Sequence, residues 1–140
     1  MNQLKKNHFY LIETAKKMIS MRFKENRHHF AAAVKSRCGK IFTGLQLKTS
    51  LGGAEVCAEA VALAAAAEEG VTDIETVVVV NRIGDIIAPC GKCRELFIDY
   101  CPKAEIIVPG VGGSKIVSPH DLLPMRSSLL NEGRAQVTCD

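Results

Sequence analysis

The feature that most constrains this chain is the run Thr76-Val77-Val78-Val79-Val80, five β-branched residues with no polar alternation. Such side chains are stiff at χ1 and crowd a helix, but they fit a pleated strand. A strand open to water on one face would alternate, whereas a continuous run is the signature of one covered on both faces. The run therefore predicts a central strand held between two layers. Segments able to supply those layers lie on either side of it. Residues 3–20 place Leu4, His8, Leu11, Ile12, Ala15, Met18 and Ile19 on one helical face, with Lys5, Lys6, Lys16 and Lys17 mostly opposite. From Cys57 to Glu69 the chain is alanine-rich, lacks Gly and Pro, and meets Gly70 as a stop. It is apolar almost all round, which predicts a buried helix. Cys90 to Cys101 is a third helix, with Leu96, Phe97 and Tyr100 apolar and Pro102 ending it.

Further strands complete the pattern. Phe30 to Val34 and Ile41 to Leu47 read as a β-hairpin around Arg37-Cys38-Gly39-Lys40, with Gly39 taking a positive φ. Ile106 to Val108 reads as another strand, and Ile116-Val117 as a short last one after the turn glycines Gly110, Gly112 and Gly113. Helices alternating with buried strands predict a three-layer α/β/α domain with a mixed sheet of about five strands. The domain is expected over residues 1–125. Residues 126–140 lose the pattern and are expected to be a C-terminal tail, a short helix with a frayed end.

Composition narrows the class. The chain has 140 residues, 47% hydrophobic and 24% charged, the balance of one soluble globular domain. Its longest apolar run, Val61 to Ala67, is too short to span a bilayer. The N-terminus is lysine-bearing and lacks a signal-peptide core, so a cytoplasmic protein with no membrane partner is expected. The net charge of +3 is mixed along the chain, and aromatics are only two Tyr and five Phe. That argues against a nucleic-acid surface. Six cysteines without an export signal favour metal binding or catalysis over disulfides. Cys38, Cys101 and Cys139 read as ordinary thiols.

The remaining three cysteines form a split motif, Cys57-Ala58-Glu59 and Pro89-Cys90-Gly91-Lys92-Cys93, each half opening a predicted helix. Cys90 and Cys93 are three apart, so a helix sets both sulfurs on one face to grip one ion. Helix N-termini carry partial positive charge that favours thiolates. Three thiolates leave the fourth tetrahedral position of a zinc ion open to water, as in catalytic sites. Glu59, in the first helical turn, can reach that water without being a ligand and move its proton. Zn²⁺ with three thiolates is net −1, a poor environment for making hydroxide, so a group must withdraw charge from the sulfurs. Arg94 is the best candidate. Read alone, the motif leaves open a redox dithiol, half of a structural zinc site in a non-catalytic interaction module, and two buried thiols.

Cys57-Ala58-Glu59 together with Pro89-Cys90-Gly91-Lys92-Cys93-Arg94 resembles the cytidine deaminase superfamily. The likeness runs from about Phe30 to Val108 and includes Gly39-Lys40-Ile41-Phe42-Thr43-Gly44, similar to the family's second strand. Gly52-Gly53, the alanine-rich helix after Glu59 and Ile87-Ala88-Pro89 resemble blasticidin S deaminases most. The resemblance implies an α/β/α fold, Zn²⁺ held by Cys57, Cys90 and Cys93, Glu59 as proton shuttle, and the Ala58 N–H on the base. It also implies a homotetramer whose sites are completed by neighbouring subunits.

The departures bear on substrate. Where cytidine deaminases carry Asn and Glu to hold ribose hydroxyls, this chain has Gln46 and Lys48. Gln46 keeps amide hydrogen bonding, but Lys48 reverses a charge. It is either a solvated strand-end lysine or a partner for an acidic group on the substrate. The aromatic that flanks the pyrimidine falls at about His28, and Ala60 replaces an Arg. The expected function is zinc-dependent hydrolytic deamination of a small molecule, a cytosine nucleoside or a nucleoside-like antibiotic such as blasticidin S. The alternative is a cytidine or deoxycytidine deaminase of pyrimidine salvage.

Overall fold

In the computed structural model, which describes residues 4–125, the β-branched run lies inside the third strand of a five-stranded sheet. In chain order the elements are α1 (Lys6–Arg22), β1 (Phe30–Ser36), β2 (Ile41–Leu45), α2 (Ala58–Glu68) and β3 (Ile74–Asn81). There follow α3 (Gly91–Tyr100), β4 (Glu105–Gly110), β5 (Gly113–Val117) and the short α4 (Pro119–Leu122). The expected tail at 126–140 lies outside the described residues.

The sheet order is β2-β1-β3-β4-β5. Strands β1 and β2 form the expected hairpin, with Gly39 at φ +96° in its turn. β1 also pairs antiparallel with β3, and β4 pairs antiparallel with β5. Only β3 and β4 run parallel, because α3 carries the chain back across the sheet between them. The sheet is mixed, as its sequence pattern predicts.

Strand alternation divides the core into two sides. Ala31, Ala33, Val78, Val80 and Ile107 face Leu11, Ile12, Ala15 and Ile19 of α1. Their neighbours Ala32, Val34, Val77, Val79, Ile106 and Val108 pack with Ala58, Ala62, Leu63 and Ala66 of α2 and Phe97 of α3. Every second residue of the central strands thus feeds a different helical layer. His8 is satisfied within the α1 side. The Lys5 N–H donates to its Nδ1 at 2.7 Å, and Nε2 lies 3.4 Å from Glu105 Oε1.

Two details set the height of α2 over the sheet. A Cβ built on Gly44 would overlap the Ala58 carbonyl oxygen and sit 2.5 Å from the Ala62 nitrogen. The missing side chain therefore lets the first turns of α2 lie directly on β2. Alanine at positions 58, 62 and 66 completes this close approach from the helix side. Among the described residues, no helix is long and apolar enough to cross a membrane.

Candidate active site

The N-terminal ends of α2 and α3 meet on the same side of the sheet, and each is capped by a motif cysteine. Cys57 is the N-cap of α2 and Cys90 that of α3, both with extended backbone and without a side-chain capping bond. Neither thiol is taken up in capping its helix. Cys93, one turn into α3, is buried. The three sulfurs all lie within 4.8 Å of one another, and Cys57 and Cys90 are 3.5 Å apart. A disulfide needs about 2.05 Å. Tetrahedral ligands at about 2.3 Å from zinc stand roughly 3.8 Å apart, a separation between the 3.5 Å of Cys57 and Cys90 and the 4.8 Å bound on the set. Among the described residues no other group of Cys, His, Asp or Glu comes together this way. Three soft sulfur donors suit zinc, and the site fits that ion.

Burial governs the thiols. It pushes the Cys57 thiol up, with the neighbouring Cys90 thiol adding to the effect. It pushes Cys93 far up, and the Glu59 carboxylate adds to this. At Cys90 burial also acts upward, but the Cys93 N–H and the thiols of Cys57 and Cys93 outweigh it, leaving Cys90 below its ordinary value. The expectation that helix ends favour thiolates is met at Cys90 and reversed at Cys57 and Cys93. A cation supplies what the helix ends do not, since metal binding displaces the thiol protons.

Glu59 is 5% exposed and lies in the first turn of α2. Burial raises its carboxyl above the usual range, while its own backbone N–H and the Cys93 thiol partly offset this. With Cys57, Ala58 and Cys90 it lines a cavity of about 310 Å³, together with Phe30, Gln46, Gly53, Glu55, Ile87, Ala88 and Lys92. Two of the three donors, Cys57 and Cys90, thus share one cavity with the carboxylate, while Cys93 is buried. It is large enough for a ligand of nucleoside size at the lower end of the usual range for such sites.

The other residues singled out in the sequence fall in different places. Gln46 lines the cavity and is held from both sides. Its backbone N–H donates to Phe30 O at 3.0 Å, its carbonyl accepts from His28 Nδ1 at 2.8 Å, and its Oε1 accepts from the His29 N–H at 3.3 Å. That leaves the amide NH₂ of Gln46 to donate. His28 is not among the lining residues; it braces the main chain of Gln46. Lys48 is also not among them, and its backbone N–H donates to Arg27 O at 2.9 Å. Arg94 spends its guanidinium on two carbonyls, Pro89 at 2.9 Å and Leu122 at 3.0 Å, and so ties the loop before Cys90 to α4.

Six lining residues had no site role in the sequence reading: Phe30, Gly53, Glu55, Ile87, Ala88 and Lys92. Phe30 reads as a strand residue and Lys92 as filler within Cys-x-x-Cys. Only the approach of β1, the 48–56 loop and the α3 start to one another reveals them.

A family model for the cytidine and deoxycytidylate deaminase zinc-binding region matches residues 5–108. The chain is 32% identical over 124 residues to a blasticidin-S deaminase from Bacillus cereus, covering 83% of this chain and 89% of that protein. It is 35% identical over 99 residues to a protein from Dictyostelium discoideum named "Probable cytidine deaminase", covering 69% and 67%. The crystal structure of a cytidine deaminase from Burkholderia pseudomallei superposes with a TM-score of 0.72 at 30% identity, covering 86% of this chain and 98% of that one.

Proposed function

The chain belongs to the cytidine and deoxycytidylate deaminase family of zinc enzymes, and we propose that it hydrolytically deaminates the cytosine ring of a free nucleoside or a nucleoside-like antibiotic such as blasticidin S. The observation that carries this reading is the convergence of three cysteine sulfurs at a cavity that two of them, Cys57 and Cys90, line together with the buried carboxylate of Glu59. Cys57, Cys90 and Cys93 hold zinc, which when bound supplies the Lewis acidity that makes water a nucleophile at neutral pH.

The protein's own groups do the rest. Glu59 takes the proton given up by the attacking water and delivers it to the ring nitrogen beside the reacting carbon. It then takes the proton of the new hydroxyl group on that carbon and passes it to the departing amine, so that a C–O double bond replaces the C–N bond and ammonia leaves. Its raised pKa suits this work, because a carboxyl poised nearer neutrality both accepts and returns a proton. Phe30 and Ile87 offer apolar walls to the flat base, and the Ala58 N–H binds its carbonyl edge. The Gln46 amide donates to the sugar, with His28 and His29 fixing its position. Arg94 holds the Pro89 loop so that Cys90 keeps its place, and contributes positive charge beside the thiolates.

The proposed setting is the cytoplasm and the proposed assembly a homotetramer. Exposed Phe9, Tyr10 and Met21 on α1, and Leu47 and Leu51 beside the cavity loop, are apolar surface that an assembly would cover. A cytidine deaminase of pyrimidine salvage is the second reading, favoured by the Burkholderia pseudomallei structural match. Ammonia release from cytidine, deoxycytidine, cytosine and blasticidin S tests both. Release from blasticidin S above cytidine supports the first, the reverse order supports the second, and no release from any of them refutes both.

A further inference from the structure

Two charged residues line the outer part of the cavity, and neither has an ion-pair partner among the described residues. Lys92 is exposed, and its Nζ donates to the main-chain oxygen of Glu55 at 3.0 Å. That bond fixes the ammonium at the loop without neutralising it, because its acceptor is a carbonyl. Two N–H groups of the ammonium remain to donate. The Glu55 carboxylate belongs to a half-buried residue that lines the same cavity. Lys48, which the sequence offers either as a solvated strand-end lysine or as a partner for an acidic substrate group, is not among the lining residues.

We propose that Lys92 is the specificity-determining cation of this site and that it recognises a carboxylate carried on the sugar portion of the substrate. The proposal rests on the deaminase reading and narrows its substrate class. A cation pinned by one neutral bond at the cavity entrance is already positioned and loses little freedom when it pairs. Glu55 sets the other limit. A phosphate group carries nearly two negative charges at neutral pH and would meet the Glu55 carboxylate as well as the Lys92 ammonium. A carboxylated sugar brings a single charge, and a substrate that also carries a cationic arm finds a partner in Glu55. The entrance therefore favours a carboxylated cytosine nucleoside over a neutral nucleoside, and disfavours a nucleotide.

The test uses the full-length zinc-loaded protein with blasticidin S, cytidine and deoxycytidine monophosphate as substrates. The readout is the ratio of kcat/KM values, with zinc content measured for every variant. Lys92→Gln is expected to lower the blasticidin S to cytidine ratio about tenfold, the lower end for a bond between charged groups at an open site. Lys92→Arg should keep the ratio within about threefold, since it keeps the charge. Glu55→Gln should raise the nucleotide to cytidine ratio. Equal losses on blasticidin S and cytidine in Lys92→Gln would overturn the assignment, leaving Lys92 as a brace for the loop. A fall in the ratio in Lys48→Gln and not in Lys92→Gln would overturn it too. In either case wild-type ammonia release preserves the deaminase reading, whereas no release from any substrate overturns both.

Discussion

Gly44→Ala isolates the contact on which the height of α2 depends. Gly44 is not among the positive-φ glycines, so alanine meets no backbone strain there, and what it meets is the helix. The new Cβ would stand 2.5 Å from the Ala62 nitrogen, and an ordinary contact begins at 3.4 Å, so strand and helix must part by about 0.9 Å. The obstacles are backbone atoms in a hydrogen-bonded turn and cannot rotate aside. A gap of that size forfeits roughly a quarter to a half of the dispersion energy across the interface. Overpacking of this kind costs about 1–3 kcal/mol, and the backbone location puts the expected value near the upper end. Alanine returns about 0.5 kcal/mol through lower unfolded-state entropy, leaving a net loss near 2.5 kcal/mol. For a chain of this size that lowers Tm by roughly 8–10 °C. The same shift moves Cys57 and Glu59 relative to Cys90, so zinc affinity should fall together with stability. Urea unfolding with chelator and then with saturating zinc separates the two effects. A chelated variant within about 0.5 kcal/mol of wild type would refute the claim that Gly44 sets the helix height.

Further predictions follow from the site and its surroundings. Glu59→Gln should keep zinc at wild-type stoichiometry and lower kcat at least a hundredfold, the usual contribution of a proton shuttle; metal analysis beside an ammonia assay checks both halves. Zinc should shield Cys57, Cys90 and Cys93 from iodoacetamide. After chelation Cys90 should be modified first, being exposed with a lowered pKa, and buried Cys93 last, as read by peptide mass spectrometry. In the β1–β2 turn, Ser36 Oγ accepts from the Lys40 N–H at 3.0 Å and lies 3.1 Å from Cys38 Sγ, so its proton is free to stabilise the Cys38 thiolate. Cys38 sits below the ordinary thiol value mainly for that reason. Its alkylation should therefore rise at lower pH than that of a free cysteine, and Ser36→Ala should move the profile upward. Cys101, pushed up to about 12 by burial, should stay unmodified throughout.

What could be read in the sequence depended on how far each signal reaches along the chain. The β-branched run, the alanine-rich helix and the glycine in the first hairpin are local patterns, and each appears where expected, with ends shifted by a residue or two. Cys57 and Cys90 were read as helix starts and are N-caps. Helix α4 is four residues long, too short for any periodicity to show, and rests on the Ser118 cap and Pro119. His28 illustrates a limit of a different kind. Its place beside the first strand suggested a group flanking the base, but the side chain points its Nδ1–H at Gln46 O, and Phe30, two residues on, lines the cavity. His28 lies before β1 begins at Phe30, so strand alternation does not govern where its side chain turns. For Arg94, adjacency to Cys93 suggested a charge that relieves the sulfurs, and it left unread the two carbonyls, Pro89 and Leu122, that the guanidinium finds through the fold.

Chemistry and selectivity are mounted on different parts of the molecule, which explains why one was easier to read than the other. The thiols and Glu59 sit on two helix starts whose spacing is set by tight backbone packing against the sheet, and small displacements there would break coordination. The residue types are therefore tied to the fold and show as short motifs. Gly53 and Glu55 belong to the loop between the Leu47–Val56 bridge, and Lys92 reaches that loop from α3 through a single bond to a main-chain oxygen. A main-chain acceptor is present whatever residue stands at position 55, so the charge there can change without loosening the clamp. Lys92 itself projects from the first turn of α3 between two ligands, so its replacement alters the cavity entrance while leaving the cysteine spacing intact. The entrance can thus be altered to suit a different sugar while the zinc, the proton shuttle and the core beneath them stay as they are.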